Sequence, residues 1–130
     1  MRSIESKIIE KLETTGENIF NLSVRDTVEI KNSEAVYYLW KSPVVKITAD
    51  ENGNKTIYFS FCGWQSLTTK SRIDCILYRF KRFHVFQKNW QLYLVGCLTS
   101  KSYKIEAEKS YYIKDNNLYD SETNEIVKEI

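Results

Sequence analysis

Glycine and proline are scarce in this chain, four and one among 130 residues. Both interrupt strand interiors, so their scarcity points to strands with few kinks and excludes a proline-rich linker. No apolar run approaches the ~18 residues that a membrane-spanning helix needs. The N-terminus is charged and leads into an amphipathic run, so no signal peptide is expected. Cysteine is limited to Cys62, Cys75 and Cys97, an odd number with no two close together. A disulfide framework is therefore not expected, and reduced, buried thiols in a cytoplasmic protein are. His84 is the single histidine, which withdraws most general-base chemistry. With the cysteines it also lacks the close spacing of a zinc site, so neither a metal nor another cofactor is expected. A net charge of +2 gives no global case for a nucleic-acid binder or a DNA mimic.

What is present is a chain of one-domain length, residues 1–130, with the apolar and charged fractions of a globular protein (42% and 28%). Nine tyrosines raise the aromatic content to 14%, as expected of well-filled strands. Ile4, Ile8, Ile9 and Leu12 share one helical stripe, so residues 3–13 read as a helix with Ser3 as its N-cap. After a connector, residues 27–31 alternate weakly, and 35–40 are rich in strand formers up to Trp40. Pro43 marks a break or an edge. Residues 44–48 and 56–61 flank Asn52-Gly53, a strong hairpin signal.

At residue 63 the period changes. Ile73, Ile76, Leu77 and Phe80 follow the spacing of a helix burying one face, with Ser66 or Thr68 as its cap. Strand character returns at 83–86 and at 90–97, with a turn at Lys88-Asn89, and again at 103–106 and 111–114. Short closing strands follow at 118–119 and 126–127. The expected class is α+β, a mostly antiparallel twisted sheet with an N-terminal and a central helix.

Two segments stand out as candidate binding sites; no catalytic set does. At the start of the central helix, Ser66, Thr68 and Thr69 bring hydroxyls and Lys70 and Arg72 bring cations to exposed backbone N–H groups. Cations there oppose the helix dipole by roughly 0.3–1 kcal/mol each when exposed. They could hold an anion, or the hydroxyls could simply cap the helix while the cations are solvated. The second segment, residues 78–90, interleaves Arg79, Arg82 and Lys88 with aromatics up to Trp90. Single-stranded nucleic-acid binders combine charge and stacking in this way. A strand alternating Phe83 and Val85 inward with Arg82 and His84 outward produces the same string. Residues 64–88 carry six cations and one anion, a net +5, which leaves −3 on the remainder of a chain of net +2. The carboxylates Glu106, Glu108, Asp120, Glu122 and Glu125 read as solvated turns.

From residue 35 to 80, Val36-Tyr-Tyr-Leu-Trp-Lys-Ser-Pro-Val-Val-Lys-Ile47 and Gly63-Trp-Gln-Ser-Leu-Thr-Thr-Lys-Ser-Arg-Ile73 resemble an uncharacterised domain. It is found in small proteins of phages and other mobile elements of low-GC bacteria. Its pattern is two strands, then an aromatic and Ser-x-Thr-Thr-x-x-His or Arg at a helix start. Ser66, Thr68, Thr69 and Arg72 fall on those positions, and Arg72 stands where many relatives carry His. The resemblance implies a phage or plasmid origin and a cytoplasmic protein of an infected bacterium, and brings no established activity. A non-enzymatic protein binding a host or phage macromolecule, protein or ribonucleoprotein, is the expectation. An inhibitor of a host defence complex such as an RNA-guided nuclease, anti-CRISPR-like, is its specific form. The alternative is a small nucleic-acid-binding module using Lys70, Arg72, Arg79, Arg82 and Lys88 with Phe86 or Trp90.

Overall fold

Ser3 opens the first helix, its hydroxyl accepting the Ser6 N–H at 3.1 Å ahead of α1 (Ile4–Leu12). This computed structural model describes residues 3–130. Five strands follow: β1 (Asn18–Asn21), β2 (Asp26–Lys31), β3 (Glu34–Leu39), β4 (Ser42–Ala49) and β5 (Lys55–Ser60). The chain then enters α2 (Leu67–Lys81), and five more strands close it: β6 (Phe83–Lys88), β7 (Gln91–Gly96), β8 (Ser102–Ile105), β9 (Ser110–Lys114) and β10 (Asn117–Asp120). All pairs are antiparallel, in a seven-stranded sheet ordered β1-β2-β3-β4-β5-β9-β10 and a three-stranded sheet β6-β7-β8. The fold is α+β, as the sequence led one to expect.

Alternation decides which side chains are inside. Val28, Ile30, Tyr37, Leu39, Ile57, Phe59 and Ile113 are buried with Ile8 and Leu12 of α1 and Ile73, Ile76 and Leu77 of α2. Phe83, Leu92, Leu94 and Ile105 of the small sheet join the same core. On the outer face of the large sheet, Lys46, Tyr58, Tyr112 and Tyr119 are successive register neighbours. The three rings lie 5.1 and 4.8 Å apart, with Lys46 Nζ 4.6 Å above Tyr58. Tyr112 and Tyr119 are stacked and Tyr58 is tilted against Tyr112, so these three of the nine tyrosines pack on one another.

Several local departures from the sequence expectation matter. The connector before residue 27 contains β1, an edge strand whose Asn-Ile-Phe-Asn composition carries little strand signal. Pro43 sits at a bulge: the β3–β4 register shifts between Tyr37 and Tyr38, so Val44 and Val45 are both buried. That is how a proline is accommodated beyond the reach of β5, which pairs with β4 only from Val45 onward. Finally, Trp40 and Trp90 belong to turns rather than to strands. Leu39 pairs with Ser42 and Lys88 with Gln91, leaving two-residue loops, Trp40-Lys41 and Asn89-Trp90, with positive φ at both positions. That is the type I′ pattern, whose twist suits hairpins. The expected Lys88-Asn89 turn is thus displaced by one residue. Of the expected closing strand at 126–127, only an isolated bridge from Ile126 to Tyr119 forms.

Strictly alternating strand directions send every second connection to the same end. Residues 22–25, 40–41, 61–66, 89–90 and 106–109 therefore meet there, with the start of α2. Cross-bonds between these loops fix the arrangement: Trp40 N–H to Arg25 O at 2.8 Å, Gly63 N–H to Ala107 O at 2.9 Å, and Gln65 Nε2 to Trp90 O at 2.8 Å.

Candidate functional site

All three tryptophans of the chain stand at this end, and all are exposed: Trp40 by 63%, Trp64 by 67% and Trp90 by 75%. Val24 and Leu67, on the adjoining loop and helix start, are exposed too. Tryptophan is the most costly side chain to leave in water, and clustered apolar exposure marks contact surfaces. The loops that present these rings are held firmly. Trp64 N–H donates to Phe61 O at 2.8 Å, and Gly63 takes a φ of 82°, a left-handed turn that suits glycine.

Two of the rings also sit where the backbone disfavours them. The other type I′ turns, Asn32-Ser33 and Asp115-Asn116, use small polar residues at positive φ. Trp40 (φ 50°) and Trp90 (φ 67°) occupy the same left-handed region with a bulky side chain, at about 1–2 kcal/mol relative to glycine or a right-handed conformation. Trp90→Gly would create the Asn-Gly pair that type I′ turns prefer. It is expected to raise thermal stability by about 3–5 °C in calorimetry. A drop in melting temperature would show that the ring supports the fold.

Between Trp40 and Trp64 lies a cleft of about 530 Å³, lined also by Arg25, Leu39, Ser42, Val44, Phe61, Cys62, Ser66, Thr68 and Thr69. Ser66 is the N-cap of α2, its Oγ accepting the Thr69 N–H at 3.1 Å, and the two hydroxyls meet at 2.8 Å. All three expected hydroxyl residues line the cleft, although Thr69 is buried with its hydroxyl on Ser66, and Thr68 and Lys70 are half-buried.

Arg72 is not presented outward as the sequence suggested. It is buried, with Nε donating to Asp26 Oδ1 at 3.0 Å, Nη2 making a longer contact to Oδ2 at 3.5 Å, and Nη1 donating to Glu5 at 3.0 Å. Tyr37 OH and Ser23 Oγ also donate to Asp26. The anion that a cationic helix start called for is thus supplied by the protein itself, from β2 and α1. Burial pushes the Asp26 carboxyl up, but the Arg72, Ser23 and Tyr37 hydrogen bonds outweigh it and hold the carboxyl below its ordinary value. Burial, reinforced by the Asp26 charge, pushes the Tyr37 phenol up.

The basic-aromatic segment is likewise dispersed. Arg79 bridges to Glu13 at 3.3 Å and lies against Phe80, while Arg82 is the left-handed C-cap of α2 and lies over Tyr78. Both belong to the opposite end of α2 from the tryptophans. Phe83 and Val85 point inward, as the strand reading requires. His84 holds Asp74 through Nδ1 at 2.9 Å and stacks on Tyr78, and the same Asp74 oxygen takes the Val85 N–H at 2.7 Å, blocking the β6 edge. Only Lys88, beside the Trp90 turn, and Lys70 remain at the tryptophan end. The thiols are less buried than expected: Cys62 and Cys75 are half-buried and Cys97 is exposed. Burial raises the Cys75 thiol pKa, with Glu5 and Asp74 adding to the shift, which disfavours the reactive thiolate. Among the described residues no three histidine, cysteine, aspartate or glutamate side chains gather as metal ligands, and no helix is long and apolar enough to cross a membrane.

Sequence reasoning singled out the loop containing Trp64 and missed Trp40 as a site residue. The available signal was parity: with Tyr37 and Leu39 facing inward, Trp40 must face outward. For Trp90 the same rule misleads, because it shares parity with buried Leu92 and Leu94; only the turn expels it.

A family described as Kyanoviridae Gp96 protein matches residues 1–119 of the chain. No curated protein and no solved structure matches it. The family match bears out the expected phage origin; it does not test the Ser-x-Thr-Thr motif or the low-GC host.

Proposed function

The chain belongs to the Kyanoviridae Gp96 family of phage proteins, and on that premise we propose that it is a non-enzymatic binding protein whose contact surface is the tryptophan end. The observation that carries this reading is the display of every tryptophan of the chain on firmly bonded loops at one end, two of them at left-handed positions. Exposed indoles and strained turns both lower stability, and both are repaid when a partner covers the surface. Tryptophan is also the residue most enriched among binding hot spots. Preorganised loops reduce the ordering cost of association.

The partner in this reading is a protein surface of host or phage, and a host defence complex such as an RNA-guided nuclease is one such target. A nucleic-acid interface receives less support, because Arg72, Arg79 and Arg82 are engaged internally and do not form a track with Lys70 and Lys88.

The experiment is a quantitative affinity purification from phage-infected cells with wild-type and Trp64→Ser baits. A discrete set of proteins retained by the first bait and lost by the second is expected. Identical retention by both baits would remove the tryptophan end as the contact surface. Nuclease-sensitive retention that fades steeply with salt would instead favour the nucleic-acid reading.

A further inference from the structure

Resting on that reading, we propose that the cleft between Trp40 and Trp64 receives an apolar side chain flanked by carboxylates, presented by an acidic segment of a protein partner. The floor is hydrocarbon: Leu39, Val44 and Phe61 are all buried beneath it. Its volume of about 530 Å³ lies within the range of sites that enclose a defined group. The walls are two indoles, which offer large contact area at little conformational cost. Such a lining suits a leucine, phenylalanine or similar anchor.

Within its lining the charge has one sign. Arg25 is the only charged residue of the lining, and no carboxylate lines it. Arg25 Nε stands 3.7 Å from Asp26 Oδ2, a long contact to an acid already satisfied by Arg72, Tyr37 and Ser23. Arg25 therefore retains guanidinium donors for a partner's carboxylate, in the bidentate geometry arginine favours. Lys41 and Lys88 add positive charge within or beside the Trp40 and Trp90 turns, while Glu106 and Glu108 stand on the neighbouring 106–109 loop, outside the lining. A nucleobase would fit this cleft less well. Its backbone needs a cationic track, and the lining, although it includes Ser42, Ser66 and Thr68, holds a single cation.

Nuclear magnetic resonance reads the site directly, since three tryptophans give three indole N–H signals, assignable from Trp40→Phe and Trp64→Phe. Three probes are compared with the full chain: a capped octapeptide alternating leucine and glutamate, the same peptide with lysine for glutamate, and an octamer of thymidylate. The acidic peptide is expected to shift the Trp40 and Trp64 signals at up to millimolar concentration, with the basic peptide at least roughly tenfold weaker, the factor that about 1.4 kcal/mol represents. Arg25→Gln, an exposed loop change, should erase most of that preference while the Trp40 and Trp64 signals still respond. Absent shifts, equal response to both peptides, movement of Trp90 alone, or response to thymidylate alone would each overturn the proposal. If the peptides fail while the Trp64→Ser bait still loses its proteins, the contact surface stands and only its acidic occupant is wrong.

Discussion

Arg72→Met should lower the stability of this protein by about 3–5 kcal/mol, the usual consequence of leaving one member of a buried ion pair without its partner. Against a typical total of roughly 5–15 kcal/mol, that is a large share, and melting should fall by about 10–20 °C. The reason is the position of Asp26, which is completely buried and takes its closest full charge from Arg72 at 3.0 Å, with the exposed Arg25 farther off at 3.7 Å. Asp26→Asn should cost less, because the amide has no charge to bury. The double change Asp26→Asn with Arg72→Met should be less harmful than the sum of the two, giving a coupling in a double-mutant cycle.

The same pair sets a pH signature. Asp26 titrates below its ordinary 3.8 in the folded protein, so its stabilising contribution is complete above the unfolded value and is lost as pH falls through the lower folded value. Wild-type stability should therefore decline below about pH 4. Without Arg72, the buried carboxyl is expected to shift upward instead, so its penalty is greatest at neutral pH and eases on acidification. The melting deficit of Arg72→Met should accordingly narrow between pH 7 and pH 4. A constant deficit over that range would mean that the charge pair is not its cause.

The second large effect concerns binding. With a captured partner purified, Trp64→Ala and Trp40→Ala should each weaken association by at least ~30-fold, the 2 kcal/mol or more of a hot-spot residue. Arg79→Gln and Arg82→Gln, at the far end of α2, should change affinity by less than about threefold. Calorimetric titration at two salt concentrations separates the alternatives. A tryptophan-centred interface is only modestly salt-dependent, whereas steep salt dependence with losses at every cation would point to phosphate contacts.

Much of the fold was legible because local periodicity is decided locally. Ile4, Ile8 and Leu12 announce α1, Ser66 and the 73-76-77-80 spacing announce α2, and Asn52-Gly53 announces its turn, where the Asp50 carboxylate accepts the Asn52 and Asn54 N–H groups at 2.9 Å. Strand β1 was not legible, since an exposed edge of Asn-Ile-Phe-Asn exerts no burial pressure on its own sequence. The site divided along the same line. Ser66 as a cap follows from neighbours three residues away, but the fate of Arg72 depends on Asp26, 46 positions earlier, and on Glu5, 67 positions earlier. No periodic pattern reports a partner at that separation. The turn positions of Trp40 and Trp90 were obscured for a different reason: strand-forming rings beside strands read as strand, and their expulsion is a property of two-residue turns with positive φ.

The tryptophan end as the surface that meets a partner is tested most directly by amide hydrogen exchange of the protein alone and with its captured partner bound. Slowed exchange in residues 22–26, 39–44, 61–69 and 88–92 together, with the tyrosine face around Tyr58 and Tyr112 unchanged, is the predicted footprint. Protection confined to that tyrosine face, or to residues 97–101 at the opposite end, would contradict it.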